Sequence, residues 1–326
     1  MSYKMTKKTF LFLALIAVLP IYANEVKFSI SDGPVDGDIK TKIETNVSKI
    51  LTEINAAHQK GHRLNFSAME VNERVQQSMS MLWDAAPFIC TDDEIIEHCI
   101  ITDSGYQVRN IPLLMKPLKK RDTNEGEYHE AVICFDKEGN VDKFYLAVPM
   151  DVYTEVIRRN MDSLSYRCRL LILDFIEQYC TAYIQKDIEF ISNVYSDNLM
   201  VFNGQIETNK EEKISLGKDI EQNKEQFVKS LRLALKKEKR VDLQIDDIVV
   251  QRSHKNPYFY GVSILQKWTS GNYHDSGYLF LLWQFNKESA PLILFRAWQP
   301  DMINGEPLPK EKIMNLADFD IKPERP

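Results

Sequence analysis

The residue types that could perform chemistry lie mostly in the last third of the chain. His274 precedes Asp275 within residues 268–275, and a carboxylate beside an imidazole could orient it as a general base. The polar character of this segment favours an exposed hairpin turn instead. Asp246 and Asp247 could bind a divalent cation, but without a third ligand nearby they fit a solvated strand edge better. Neither pair by itself predicts a catalytic or metal centre.

The last predicted strand carries an arginine and a tryptophan on one face. Arg296 and Trp298 share that face because side chains alternate along a strand. If the face lines the interior, Arg296 is a buried cation that needs a carboxylate from the protein or from a ligand. The outer face, with Trp298 at a domain or dimer contact, is an equal alternative. If the chain binds a ligand, we expect these residues to form the mouth of the pocket: Tyr183, Trp268, Trp283, Arg296 and Trp298.

Well-known catalytic and cofactor motifs are missing from the sequence. The 12 glycines form neither a GxGxxG nor a GxxxxGK pattern, and there is no Ser/His/Asp nucleophile elbow. No CxxC or Cys/His pair occurs at zinc spacing. We therefore expect no cofactor and no metal.

The elements that must position these side chains occur in one order twice. In each half, segments with helical spacing of apolar residues precede segments rich in β-branched and aromatic residues. Helices followed by antiparallel strands are typical of an α+β domain with helices on one face of a sheet. This predicts two tandem α+β domains, each with helices packed on a curved antiparallel sheet. The predicted boundaries are 24–155 for the first domain, 156–305 for the second and 306–326 for a C-terminal tail.

The N-terminus has the composition of a secretory signal peptide. Three lysines precede an apolar run at 9–20, and small residues at 21–23 allow cleavage after Ala23. The run is short for a membrane span, although an uncleaved anchor is the alternative. The next cysteine is Cys90, so the lipid-anchor cysteine of a lipoprotein is missing. We expect a soluble protein, periplasmic or secreted, without an integral membrane span after cleavage.

The net charge argues against one class of partner, and the cysteine count limits the disulfides that the chain can form. The net charge of −6 becomes −9 once the three signal lysines are removed, and an acidic chain is a poor nucleic-acid binder. The five cysteines are an odd number, so at least one stays free or pairs between chains. The sequence is compatible with a Cys90–Cys99 disulfide and equally with buried free thiols.

Residues 171–201 (LILDFIEQYCTAYIQKDIEFISNVYSDNLMV) resemble the opening of nuclear transport factor 2-like (NTF2-like or SnoaL-like) domains. The matching positions are Tyr179, Tyr183, Lys186, Asp187, Ile191, Tyr195, Ser196 and Asp197. Residues 127–148 are similar to the closing hairpin of such domains, which suggests a second copy, and the mature chain resembles a group of exported bacterial proteins with this fold. The resemblance implies a cone-shaped fold, in which enzymes place an Asp, Glu or His inside the cone.

These observations favour a non-catalytic, exported binding or scaffold protein. The reasons are the lack of a convincing catalytic constellation and the aromatic-rich final sheet. The alternative is a small-molecule isomerase or hydrolase that uses the cone of the second domain. We expect a protein or small-ligand partner in the cell envelope, and a homodimer through a sheet face is a further option.

Overall fold

The structure is a computed structural model. It describes residues 25–33, 37–116, 126–158, 163–203, 222–286 and 290–323. The predicted signal peptide at 1–23 lies outside these ranges. Within them, no helix combines the length and the apolar character needed to cross a bilayer.

The described residues of the first half form two helices, a parallel strand pair and a five-stranded sheet. The helices are α1 (Gly37–Lys60) and α2 (Glu73–Ala85). The strands are β1 (Lys27–Ile30), β2 (Phe88–Ile89), β3 (Glu94–Glu97), β4 (Cys99–Ile101), β5 (Tyr106–Met115), β6 (Glu127–Phe135) and β7 (Val141–Leu146). β1 pairs with β3 in parallel, and the larger sheet has the order β2-β5-β6-β7 with β4 also paired to β5. Helix, helix and then strands is the predicted order.

Apolar spacing determines which face of the first sheet is covered. α1 buries Ile43, Val47 and Ile50, which recur every three or four residues, as an amphipathic helix requires. They share one core with Val108 and Ile133 of the sheet. The opposite face of this sheet is left for polar residues and for the second half.

A bulge in β5 directs a cation towards that opposite face. Val108 pairs with Ile133 and Ile111 with Ala131, so Arg109 and Asn110 together oppose a single residue of β6. Asn110 has a φ of 61°, a left-handed conformation that asparagine tolerates better than most residues. The bulge brings the buried Arg109 side chain to the second half, where Arg109 Nε donates to Thr181 Oγ1 at 2.9 Å.

In the second half, the part of the chain that the structure describes forms four α-helices and a five-stranded curved sheet. The helices are α3 (Met150–Arg158), α4 (Ser163–Gln185), α5 (Ile188–Asn193) and α6 (Lys224–Lys237). The strands are β8 (Tyr195–Asn203), β9 (Asp242–Arg252), β10 (Phe259–Ser270), β11 (Tyr273–Gln284) and β12 (Leu292–Pro300). Their order is β8-β12-β11-β10-β9, antiparallel except that β8 pairs with β12 in parallel. The predicted α+β class, with helices on a curved sheet, is confirmed.

The central feature is α4, which packs against both sheets. Towards the second sheet it buries Phe175, Tyr179 and Tyr183 in one aromatic core. Towards the first sheet it presents Glu177 and Thr181, which bond to β5 and β6. A helix buried on both sides lacks one clear polar face. The two sheets share no described strand pairing, and the boundary at 155/156 stays a prediction.

The C-terminal segment covers the convex face of the second sheet. After the short pair β13 (Met302–Ile303) and β14 (Glu306–Pro307), residues 308–323 run back across that face. Phe319 stacks on Phe280 at 5.2 Å and meets Phe295 edge-on at 4.8 Å. Gln299 Oε1 accepts from the backbone N–H of Met314 at 2.7 Å. A homodimer through this patch would require the segment to be displaced.

The five cysteines are free thiols, so the structure does not form the Cys90–Cys99 disulfide. Burial raises the pKa of Cys99 and of Cys180 to about 12. Such thiols are inert at neutral pH and pack as small apolar groups.

We predict that Phe319→Ala lowers the free energy of unfolding by about 3–5 kcal/mol, because it empties a buried aromatic site. Chemical denaturation measures this loss. Met302→Ala, at a half-exposed side chain, is the control and should cost under about 1 kcal/mol. Equal, small losses for both variants would mean that the C-terminal segment does not contribute to the fold.

Candidate functional site

The structure brings the five predicted site residues to the concave side of the second sheet. Trp283 is buried in the aromatic core, and Tyr183, Trp268 and Trp298 belong to or pack against the same core. Tyr183 meets Trp268 edge-on, with ring centroids 5.8 Å apart. Arg296 lies over the ring of Phe227 at 4.9 Å. Their inward placement is therefore observed, while their role in binding stays a prediction.

Arg296 is a buried cation among tyrosines. Burial by itself lowers the pKa of its guanidinium, but the hydroxyls of Tyr183 and Tyr195, with that of Tyr179, outweigh burial and raise this pKa above its ordinary value. The aromatic ring of Phe227 adds a cation–π contact. These contacts make Arg296 part of the packed interior.

The concave side is filled with aromatic rings. Along α4, the ring centroids of Phe175 and Trp283 are 4.6 Å apart, and those of Tyr179 and Tyr183 are 4.5 Å apart. Among the described residues, the buried acidic and histidine side chains are Glu127, His129 and Glu130 of β6 and Glu177 of α4. Their contacts with one another and with Tyr166 place them where α4 meets the first sheet.

The paired acidic and histidine candidates do not form a centre. His274 Nδ1 lies 3.2 Å from Thr269 Oγ1, whereas Asp275 Oδ2 accepts from the hydroxyl of Tyr273, also at 3.2 Å. His274 and Asp275 thus bond to different neighbours at the end of a hairpin.

The Asp246–Asp247 pair is also divided between different contacts. Asp246 forms an ion pair with Lys267, and Asp247 Oδ1 accepts from the backbone N–H of Ile248 at 2.8 Å. Among the described residues no group of three His, Cys, Asp or Glu could hold a metal ion.

We predict that Arg296→Ala destabilises the fold by about 3–5 kcal/mol, because it leaves buried polar groups without their cation. Thermal melts should show a large drop in melting temperature. Arg232→Ala, at an exposed arginine of α6, should melt like the wild type. A wild-type melt for Arg296→Ala would contradict a structural role.

A large groove lies between the two halves. Its volume is about 1140 Å³, slightly above the usual range of small-molecule pockets. Its floor is the polar face of the first sheet, with Gln107, Cys134, Lys143 and Tyr145. Its opposite wall is formed by residues 239–246, which lead into and begin β9.

Hydrogen bonds and an ion pair hold the shape of the groove. On its floor, Gln107 Nε2 donates to the hydroxyl of Tyr145 at 3.1 Å. At one end, Arg240 of the second half forms an ion pair with Asp103 of the first half. Because Asp103 is exposed, this ion pair contributes little to the free energy of folding. Its effect is to position the two walls of the groove.

Buried acids connect α4 to the first sheet beside this groove. The backbone N–H of Glu130 donates to Glu177 Oε2 at 2.8 Å. Glu130 Oε1 accepts from the hydroxyl of Thr181 and from the backbone N–H of Asn110, and lies 3.4 Å from Arg109 Nε. This network joins the halves through side chains with very little exposure.

Burial controls the ionisation of this network. It raises the pKa of Glu177 well above its ordinary value, and it raises the pKa of Glu130 although Arg109 opposes the change. Burial also lowers the pKa of His129 to about 4, so that imidazole is neutral near pH 7. His129 Nδ1 lies 3.8 Å from Glu177 Oε1, and its ring packs on Tyr153. Sequence analysis missed these residues because their burial depends on contacts between the halves.

We predict that Glu177→Gln becomes increasingly stabilising as pH rises. The folded-state pKa of Glu177 is raised, so its favourable contribution is full below the unfolded value and is lost as pH rises through the folded value. Glutamine keeps an acceptor for the Glu130 N–H and does not ionise. The melting-temperature difference between variant and wild type should therefore grow between pH 5 and pH 9. A constant difference over that range would contradict the raised pKa.

Comparison with known proteins finds similar solved structures, all at low sequence identity. The chain matches no protein-family model and no curated protein. Matching solved structures include an NTF2-like protein from Cytophaga hutchinsonii, with a TM-score of 0.30, 13% identity and coverage of 43% of this chain and 99% of that one. A candidate ketosteroid isomerase from Shewanella frigidimarina has a TM-score of 0.29 and 9% identity, and covers 42% of this chain and 95% of its own.

A longer match is Bd1075 from Bdellovibrio bacteriovorus, with a TM-score of 0.32, 12% identity and coverage of 60% of this chain and 68% of that one. NTF2-like proteins, the family that residues 171–201 resemble, are among these matches. At these scores and identities the likenesses say nothing about activity.

Proposed function

We propose that this protein is a non-catalytic binding protein whose ligand site is the groove between its two halves. The observation that carries the proposal is the groove itself, a cavity of about 1140 Å³ lined by side chains from both halves. A cleft at an interface between structural units is a common place for a ligand site. The second cone, in contrast, is filled by aromatic rings in direct contact.

The isomerase or hydrolase alternative has weaker support. Solved structures that match the chain include candidate dehydratases and isomerases as well as NTF2-like proteins of unknown function. An enzyme needs an acid or base that reaches its substrate. The buried acids and histidine among the described residues lie where α4 meets the first sheet. The groove floor carries a tyrosine, a cysteine and a glutamine bonded to one another, and no described histidine lines the groove.

We also propose that the protein acts outside the cytoplasm, in the periplasm or beyond it. The support is the lysine-rich start followed by the apolar run at 9–20. Cell fractionation with N-terminal sequencing tests this proposal. A mature N-terminus at Asn24 supports it, and an uncleaved chain in the cytoplasm rejects it.

The groove proposal predicts where a retained ligand is lost. Native mass spectrometry of protein purified from the cell envelope should show a bound species in the wild type. The double variant Lys143→Glu/Tyr145→Ala changes the groove floor and should lose that species, because both side chains line the cavity. Both positions are exposed enough for the fold to tolerate the change.

The control for this experiment is Trp298→Ala at the partly buried mouth of the cone. It should keep the bound species at the wild-type level. Loss in Trp298→Ala with retention in the groove variant would move the site to the cone and favour the enzyme alternative.

A further inference from the structure

One edge of the second sheet faces the groove. β9 is the last strand in the order β8-β12-β11-β10-β9 and pairs only with β10 among the described strands. Six consecutive residues, 241–246, line the groove. Side chains of a strand alternate between its two faces, so a cavity lined by an unbroken run borders the edge of the strand.

The direction of the backbone groups follows from the pairing register. Arg169 Nη2 donates to the carbonyl oxygen of Val250 at 2.9 Å, so that carbonyl points away from β10. Val250 pairs with Val262 of β10. In an antiparallel ladder, every second residue of a strand directs its N–H and C=O groups to the same side. The β9 residues opposite Ile264, Gln266 and Trp268 therefore direct these groups to the same side as Val250.

Two of those residues lie in the part of β9 that borders the groove. Ile245 is opposite Gln266, and Leu243 is opposite Trp268, after the bulge that absorbs one residue of β9. The N–H and C=O groups of Leu243 and Ile245 therefore point to the edge. No described residue bonds to them. Arg169 occupies the corresponding edge position at Val250.

The side chains beside this edge carry charge. Asp242 is exposed and lines the groove, whose other lining residues include Lys143 and Lys239. Ile184, at the end of α4, supplies an apolar contact on the other side of the edge. A strand added here would place alternate residues beside Asp242 and beside Ile184. Opposite charges on neighbouring strands stabilise the pairing.

We propose that the groove binds an extended peptide that adds to the edge of β9, with basic side chains towards Asp242 and apolar side chains towards Ile184. This rests on the proposed function of the groove as the binding site. Main-chain hydrogen bonds to Leu243 and Ile245 would supply affinity, and the alternating side chains would supply specificity. The volume of about 1140 Å³ leaves room for a short peptide.

The test uses a synthetic peptide, acetyl-Lys-Val-Lys-Val-Lys-Val-amide with a fluorescent label, and two backbone-methylated versions of it. One version carries N-methyl groups on the lysines and the other on the valines. Each methylation removes the N–H donors from one edge of the peptide and leaves its side chains unchanged. Fluorescence anisotropy should show binding of the parent peptide and at least a tenfold loss for one methylated version.

Asp242→Lys should weaken binding of the parent peptide at least fivefold, and Glu225→Lys, at an exposed residue of α6, should not. Equal binding of all three peptides would overturn strand addition, and an unchanged affinity in Asp242→Lys would overturn the assignment to this edge. If the parent peptide does not bind while native mass spectrometry finds a ligand lost in Lys143→Glu/Tyr145→Ala, the peptide inference fails and the groove function stands.

Discussion

The structure depends on one helix that is buried on two sides. α4 contributes aromatic side chains to the core of the second sheet and acids and hydroxyls to the first sheet. Glu177 accepts from the backbone N–H of Glu130, which lies in β6 beyond the last residue that pairs with β7. A side chain thus takes the place of a neighbouring strand. Because one rigid element serves both sheets, the distance between the groove's walls is set by packing, not by a flexible linker.

The cost of this arrangement is a set of ionisable groups held away from water. Glu130 and Glu177 have raised pKa values and His129 has a lowered one, and in each case burial is the leading cause. Such groups are costly to bury unless they are bonded to partners. Arg109, positioned by the bulge at Asn110, gives the network its cation. The network is therefore specific to one docking of the halves, since any other arrangement would leave these groups unpaired.

The sequence predicted the parts of the fold that depend on local pattern. The order of helices and strands followed from periodicity, and the resemblance at residues 171–201 led to the expectation of helices on a curved sheet in the second half, which the structure has. Alternation also placed Arg296 and Trp298 on one face, although it could not decide whether that face was concave.

The role of Glu177 was not predictable, because a glutamate in a helix is ordinarily solvated and only the contact with β6 buries it. The groove was missed for the same reason, since its walls come from residues about a hundred positions apart. The C-terminal segment was predicted as a tail, but Phe319 packs between Phe280 and Phe295.

Peptide binding in the groove requires that the edge of β9 be open. The rates of amide hydrogen exchange along β9 show whether it is. In the free protein, the amides of Leu243 and Ile245 should exchange much faster than that of Gln244, whose N–H points towards β10 by the same alternation. Addition of the lysine–valine peptide should slow the amides of Leu243 and Ile245 and leave that of Gln244 unchanged. Slow exchange at Leu243 and Ile245 in the free protein would contradict the account, because it would show that this edge is already paired.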